Sequence, residues 1–198
     1  MIKSSKFEND LMRLLWVEKR LDSIYFGFPK IPKDKDSDLF KRVIRETIIV
    51  QLANFIKIRK HLIKESKIKP VDECLKSLWK PIMDLEKPIF ELRNNYIAHV
   101  QDVNKPFDKM PQDIINKYKV PTSYGDWLFL TGCVCSYCDM IYANFKEDWK
   151  KAKMKYESKT PFPEKYGLIS ENKYHHFLKM AFYQAQKELG QKGFRSSR

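Results

Sequence analysis

Glycine and histidine are scarce in this chain, with six and four copies in 198 residues. The few glycines never assemble into a GxxxxGK[ST] phosphate loop, so P-loop nucleotide hydrolysis has no motif to rest on. No HExxH helix is present, and no serine or cysteine sits in a recognisable nucleophile motif, which disfavours zinc-peptidase and serine-hydrolase chemistry. Long apolar runs are lacking too. The longest, Trp127 to Cys138, is bounded by Asp126 and Asp139, too short for a bilayer that takes about 20 apolar residues to cross. Met1 to Asp10 is polar and mixed in charge, without the apolar stretch of a secretory signal. These absences set the expectation of a cytoplasmic protein that does not enter a membrane.

Cysteine is sparse as well, and three of the four, Cys133, Cys135 and Cys138, crowd into one short stretch. A zinc knuckle needs paired clusters. On a helix Cys133 and Cys135 point in nearly opposite directions, and their neighbours Trp127, Leu130, Val134 and Ile141 are apolar. Reduced core cysteines are the expectation, with no metal and no cofactor.

What the chain has in abundance is lysine. Its formal charge is +13, its pI is near 9.5, and only eight of its 38 basic residues are arginine. Positive potential of this size attracts polyanions and releases their counterions on binding. A lysine excess also arises from solvated lysine faces or AT-rich coding, so charge alone does not name a partner.

Apolar spacing of three and four runs through most of the sequence, and no alternation of period two appears. Ser5 and Glu8 have the spacing of a capping box ahead of the stripe Phe7, Leu11, Leu14, Leu15, Leu21 and Ile24, which ends near Gly27 and Pro29. After the charged linker Lys30 to Asp36, Ser37 or Asp38 opens a long helix to about Glu65. Its apolar arc, from Phe40 to Ile63, is broad enough for a central helix. Pro70 opens the next helix. Pro81 and Pro88 interrupt the pattern beyond it and predict a kink or a new start near Lys87. Gln101 to Thr122 reads as a proline-marked excursion with one helical turn around Asp113 to Tyr118. A long helix is expected over Tyr124 to Tyr156, and a last one from Ser170 or Glu171 to Leu189. The expected architecture is all-α, an up-and-down bundle of five or six helices forming one domain over 1–190, with a flexible basic tail at 191–198.

The stretch Glu91-Leu92-Arg93-Asn94-Asn95-Tyr96-Ile97-Ala98-His99-Val100 carries the chemistry. Ile82, Leu85, Ile89, Leu92 and Tyr96 mark a buried stripe, with Arg93 on one flank and His99 on the other, about 120° apart around the axis and roughly 9 Å along it. Arginine is a permanent cation suited to phosphate, and histidine is the side chain that titrates near neutral pH. Groups straddling a packed stripe are well placed to meet their counterparts from a second copy across a two-fold axis.

Arg93, the polar Asn94, four further residues and His99, with the Ile-Ala-His ending, resemble the signature of the HEPN superfamily. The likeness is strongest to members tied to abortive infection, phage defence and toxin–antitoxin systems. It implies an all-α fold, a homodimer and metal-independent endoribonuclease activity at a site shared by two protomers. RNA is the implied substrate, and an antitoxin such as a nucleotidyltransferase the implied partner. In that scheme His99 acts as general base toward a ribose 2′-hydroxyl or as general acid toward the leaving oxygen, and Arg93 holds the scissile phosphate. Asn94 positions backbone or phosphate. Tyr96 is a candidate for stacking on a base, although its place on the stripe equally suits the core. Glu91 falls on the opposite face, His175 and His176 splay apart near the start of the last helix, and Arg59-Lys60-His61 reads as a solvated basic face open to RNA.

Two further readings stay open. One is a non-catalytic HEPN-like module that binds RNA, a nucleotide or a protein. The other is a structural or interaction bundle outside the family, with Arg93 held in an intrachain ion pair and His99 answering the last carbonyls of its helix.

Overall fold

A computed structural model describes residues 6–32, 36–101 and 111–159, with backbone alone for 36, 95–101 and 159. All of these lie within one compact unit, Met1–Thr160. The fold is all-α: eight α-helices and one 3-10 turn, with no strand among the described residues. The expected last helix, His175, His176 and the 191–198 tail fall outside the described residues.

Helix α1 (Lys6–Gly27) buries the anticipated stripe Phe7, Leu11, Leu14, Leu15 and Leu21 and passes at Gly27 into the 3-10 turn Phe28–Lys30. Helix α2 (Asp36–Leu62) is central, packing against α1, α5, α7 and α4. Its apolar arc is narrower than the pattern suggests. Leu52, Phe55 and Ile56 are fully buried, but Leu39 and Phe40 at the N-terminal end are 71% and 56% exposed.

Prolines then divide the chain into short helices. Pro70 lies in the first turn of α3 (Lys69–Cys74), where a missing N–H breaks no helical hydrogen bond. Pro81 is carried in the last turn of α4 (Lys76–Met83). Helix α5 (Glu86–Gln101) begins at the predicted break, with Pro88 in its opening turn, and buries Ile89 and Leu92 toward α2. The excursion after it contains α6 (Pro111–Tyr118), two turns rather than one, with Ile114 and Ile115 buried. That helix closes on Lys119 at φ 50°, and Val120 N–H donates to the Ile115 carbonyl at 3.0 Å, the 6→1 bond of a Schellman ending.

The single long helix expected over Tyr124 to Tyr156 is instead two, α7 (Tyr124–Asn144) and α8 (Lys146–Lys159), bent by 115°. Phe145 at the joint leaves the helical region (φ −126°, ψ 44°). Its ring meets Phe7 edge-on at 6.1 Å, and α8 folds back along α1, burying Trp149 and Ala152. Burial of that apolar surface outweighs one broken turn. This split and the short helices raise the count above five or six. No single helix among the described residues is long and apolar enough to cross a membrane.

A polar network pins the middle of the unit. Arg59, only 5% exposed, donates to Asp72 through Nε at 2.8 Å and Nη2 at 2.5 Å, and the fully buried Tyr137 hydroxyl donates to the same carboxylate at 2.9 Å. Trp79 stacks under the guanidinium at 3.7 Å and donates from its indole to the Asp72 backbone carbonyl. Arg59 is therefore not part of a solvated face, as the run Arg59-Lys60-His61 suggested. It joins α2 to α3, α4 and α7. Burial, and then the neighbouring Asp72 carboxylate, push the Tyr137 phenol up, so it stays protonated and keeps donating.

Candidate functional site

Helix α5 sets the position of every residue singled out by the motif. Its backbone is continuous through Gln101, so positions 93 and 99 are separated by roughly 9 Å along one axis and about 120° around it. Arg93 is half-buried and Asn94 is exposed. Tyr96 and His99 lie on the same helix, but their side chains are outside the described residues, so their approach to Arg93 is not defined.

Arg93 differs from most other arginines of the unit in its surroundings. Its Nε, like that of Arg45, is enclosed and meets no hydrogen-bond acceptor, and its guanidinium makes no ion pair with any described carboxylate. Arg59, by contrast, is fully committed to Asp72, and Arg42 pairs with Glu46 at 3.5 Å. The nearest acidic residue in sequence, Glu91, is engaged elsewhere: it accepts from the Tyr118 hydroxyl at 2.5 Å and faces Lys117 at 3.9 Å. An enclosed Nε without an acceptor carries a desolvation cost, and any anion would have to meet the outer edge of the guanidinium.

The register of α5 on α2 follows from two contacts. Lys60 pairs with Glu86, and Lys57 Nζ lies 5.5 Å from the Phe90 ring centroid. As α5 advances, α2 recedes, so the helices are antiparallel, and one further turn sets Arg93 level with Ala53 and Asn54. The register fixes the level of Arg93 along α2 and not the side of α2 that it faces.

The side of α2 that faces α1 carries residues the motif does not include. Between α1 and α2 lies a groove of about 330 Å³ lined by Arg13, Trp16, Arg20, Gln51, Asn54 and Lys57. Arg20 stacks on the Trp16 ring at 4.4 Å from its centroid. Arg13 donates to the buried Asp10 at 3.2 Å while its own side chain stays 61% exposed. The signal was present in the spacing: Arg13, Trp16 and Arg20 recur at three and four along α1, an alternation of cation and aromatic on one face. His61 is half-exposed, with Nδ1 4.0 Å from Asp10 Oδ2.

The cysteines form a different environment. Cys133 and Cys138 are buried, Cys135 is half-buried, Cys74 is exposed, and none is disulfide-bonded. Cys133 and Cys135 border a cavity of about 400 Å³ with Asp22, Tyr25, Phe26 and Asp139. Burial, reinforced by the carboxylates of Asp22, Glu18 and Asp139, pushes the Cys135 thiol up to about 12, far from the thiolate a nucleophile requires. Glu18 is pushed above the ordinary carboxylate range by burial, with Lys19 opposing the shift and Asp22 and Asp139 adding to it. No group of three or more His, Cys, Asp or Glu among the described residues is arranged to hold a metal ion.

No protein-family model, curated protein or solved structure matches this chain. The functional reading therefore rests on α5 and on the α1–α2 groove.

Proposed function

We propose that the chain is a metal-independent endoribonuclease of the HEPN type, with a toxin or phage-defence role, whose site joins Arg93 of one protomer to His99 of another. The observation that carries the reading is Arg93: half-enclosed, with its Nε lacking an acceptor and its charge unanswered by any described carboxylate. Arg59, the structural arginine of the core, is paired; Arg45 shares the unanswered Nε, and the motif around Arg93 is what singles it out. A guanidinium with donors to spare suits the scissile phosphate and the negative charge that builds on it during transfer. His99 supplies a proton transfer, as base toward the 2′-hydroxyl or as acid toward the 5′-oxygen that leaves. Asn94, exposed beside Arg93, helps to place the backbone of the RNA. The separation of positions 93 and 99 along α5 favours closure of the site by a second copy over closure within one chain.

The same separation gives the second reading its support. A chain that does not dimerise through α5 would keep Arg93 as an anion contact without a proton-transfer partner, and would bind RNA or a nucleotide without cutting it.

The test is cleavage of structured and single-stranded RNAs in EDTA by the wild type, Arg93→Ala and His99→Ala. Loss of cleavage in both variants supports the ribonuclease. Cleavage that survives both places the chemistry elsewhere, and RNA binding without cleavage in the wild type favours the second reading.

A further inference from the structure

From the α1–α2 groove we infer a subsite for one nucleotide of single-stranded RNA, with the base on Trp16 and the flanking phosphates on Arg20, Lys57 and Arg13. Its volume, about 330 Å³, lies within the roughly 300–1,000 Å³ of small-molecule sites. None of the groove's lining residues is acidic. Arg20 and Lys57 interact with aromatic rings, Trp16 and Phe90, rather than with described carboxylates, so their charges remain directed at solvent.

The aromatic component is equally specific. Trp127 and Trp149 are 1% and 6% exposed and Trp79 lies under Arg59, whereas Trp16 is 50% exposed. A large ring left half in water beside two arginines and a lysine is the arrangement on which bases stack while the backbone follows the cations. Gln51, only 3% exposed, and Asn54 also line the groove; Asn54 Nδ2 donates to Gln51 Oε1 at 3.5 Å, which leaves the Asn54 carbonyl oxygen to meet a base edge. An acidic peptide would use the cations but leave the ring and amides idle. The groove therefore fits a nucleotide better than a carboxylate chain.

The inference rests on the proposed function for the choice of RNA, and the register of α2 on α5 connects the two sites. Asn54 lines the groove and is level with Arg93 one turn beyond the Lys57–Phe90 contact. The groove and Arg93 therefore stand at neighbouring levels along α2.

The experiment measures fluorescence anisotropy of a labelled 2′-O-methyl oligouridine, about 12 nucleotides long to cover more than one subsite, titrated with full chain at several salt concentrations. The probe lacks the 2′-hydroxyl and is not consumed. The wild type should bind, Trp16→Ala should weaken binding by at least about fivefold, and Trp16→Phe should retain most of it. Arg20→Ala with Lys57→Ala should flatten the log–log salt slope by about 1.4, two single-strand phosphate contacts. Circular dichroism confirms folding of each variant, all of them altered at the surface. Binding unchanged in the Trp16 and Arg20/Lys57 variants overturns the subsite, as does no binding by the wild type or equal displacement by polyglutamate. RNA cleavage that depends on Arg93 and His99 alongside normal binding by the groove variants would retain the nuclease and reject the groove. Groove-dependent binding with no cleavage would do the reverse.

Discussion

Replacement of Asp72 by Asn is the sharpest probe of how this unit holds together. Asp72 is 3% exposed and accepts three hydrogen bonds, two from Arg59 and one from Tyr137. The substitution keeps the shape and removes the charge, leaving the Arg59 guanidinium, 5% exposed, with one neutral amide oxygen and the Trp79 ring but no counter-charge. Breaking one side of a buried ion pair costs about 3–5 kcal/mol, because the remaining charge stays out of water. In a unit of this size each kcal/mol lowers Tm by about 2–4 °C, so a fall of about 6–20 °C is expected. Urea denaturation followed by circular dichroism would give the free energy directly. Arg59→Met combined with Asp72→Leu should cost less than Asp72→Asn alone, since no lone charge is then buried. A loss under about 1 kcal/mol for Asp72→Asn, or a double variant as damaged as the sum of its parts, would refute the reasoning.

Other outcomes follow from particular residues. Tyr137→Phe removes a hydrogen bond to a charged group and should cost about 1.5–3 kcal/mol by the same denaturation assay. Lys119→Gly relieves a left-handed residue at the end of α6, φ 50°, and should raise stability by about 0.5–1 kcal/mol. Glu18 has a folded-state pKa above its ordinary value, so the folded state holds its proton more tightly than the unfolded chain. Its contribution to stability is therefore greatest below the ordinary carboxylate pKa and is lost as pH rises through the raised value. Glu18→Gln should accordingly gain more stability at pH 7 than at pH 4, measured by parallel thermal melts. Alkylation of the native protein followed by mass spectrometry should mark the exposed Cys74 first, while Cys133, Cys135 and Cys138 react only on unfolding.

Much of the fold is legible from spacing alone. The α1 stripe is buried as its period requires, Pro70 and Pro88 mark helix starts, and α2 is central. The Phe145 break is not legible, because neither glycine nor proline announces it. It exists to lay α8 on α1, a tertiary demand that overrides local helix propensity. Arg59 is illegible in sequence for a related reason. In sequence it stands among Lys60 and His61 like any surface cation, and only its distant partners, Asp72 and Tyr137, reveal it as a core residue. The site is legible unevenly. Arg93 and Asn94 stand out through the motif, whereas the groove draws on two helices, so Gln51, Asn54 and Lys57 have meaning only once α1 is seen beside them.

The composite site is tested most directly by subunit complementation. Arg93→Ala and His99→Ala proteins, each inactive on RNA, would be unfolded together, refolded as an equal mixture and assayed in EDTA. Random pairing yields half heterodimers, each with one intact site built from the surviving Arg93 of one chain and His99 of the other, so about a quarter of wild-type cleavage should return. A mixture as inactive as its components, alongside an active wild type refolded the same way, would contradict a site shared between protomers.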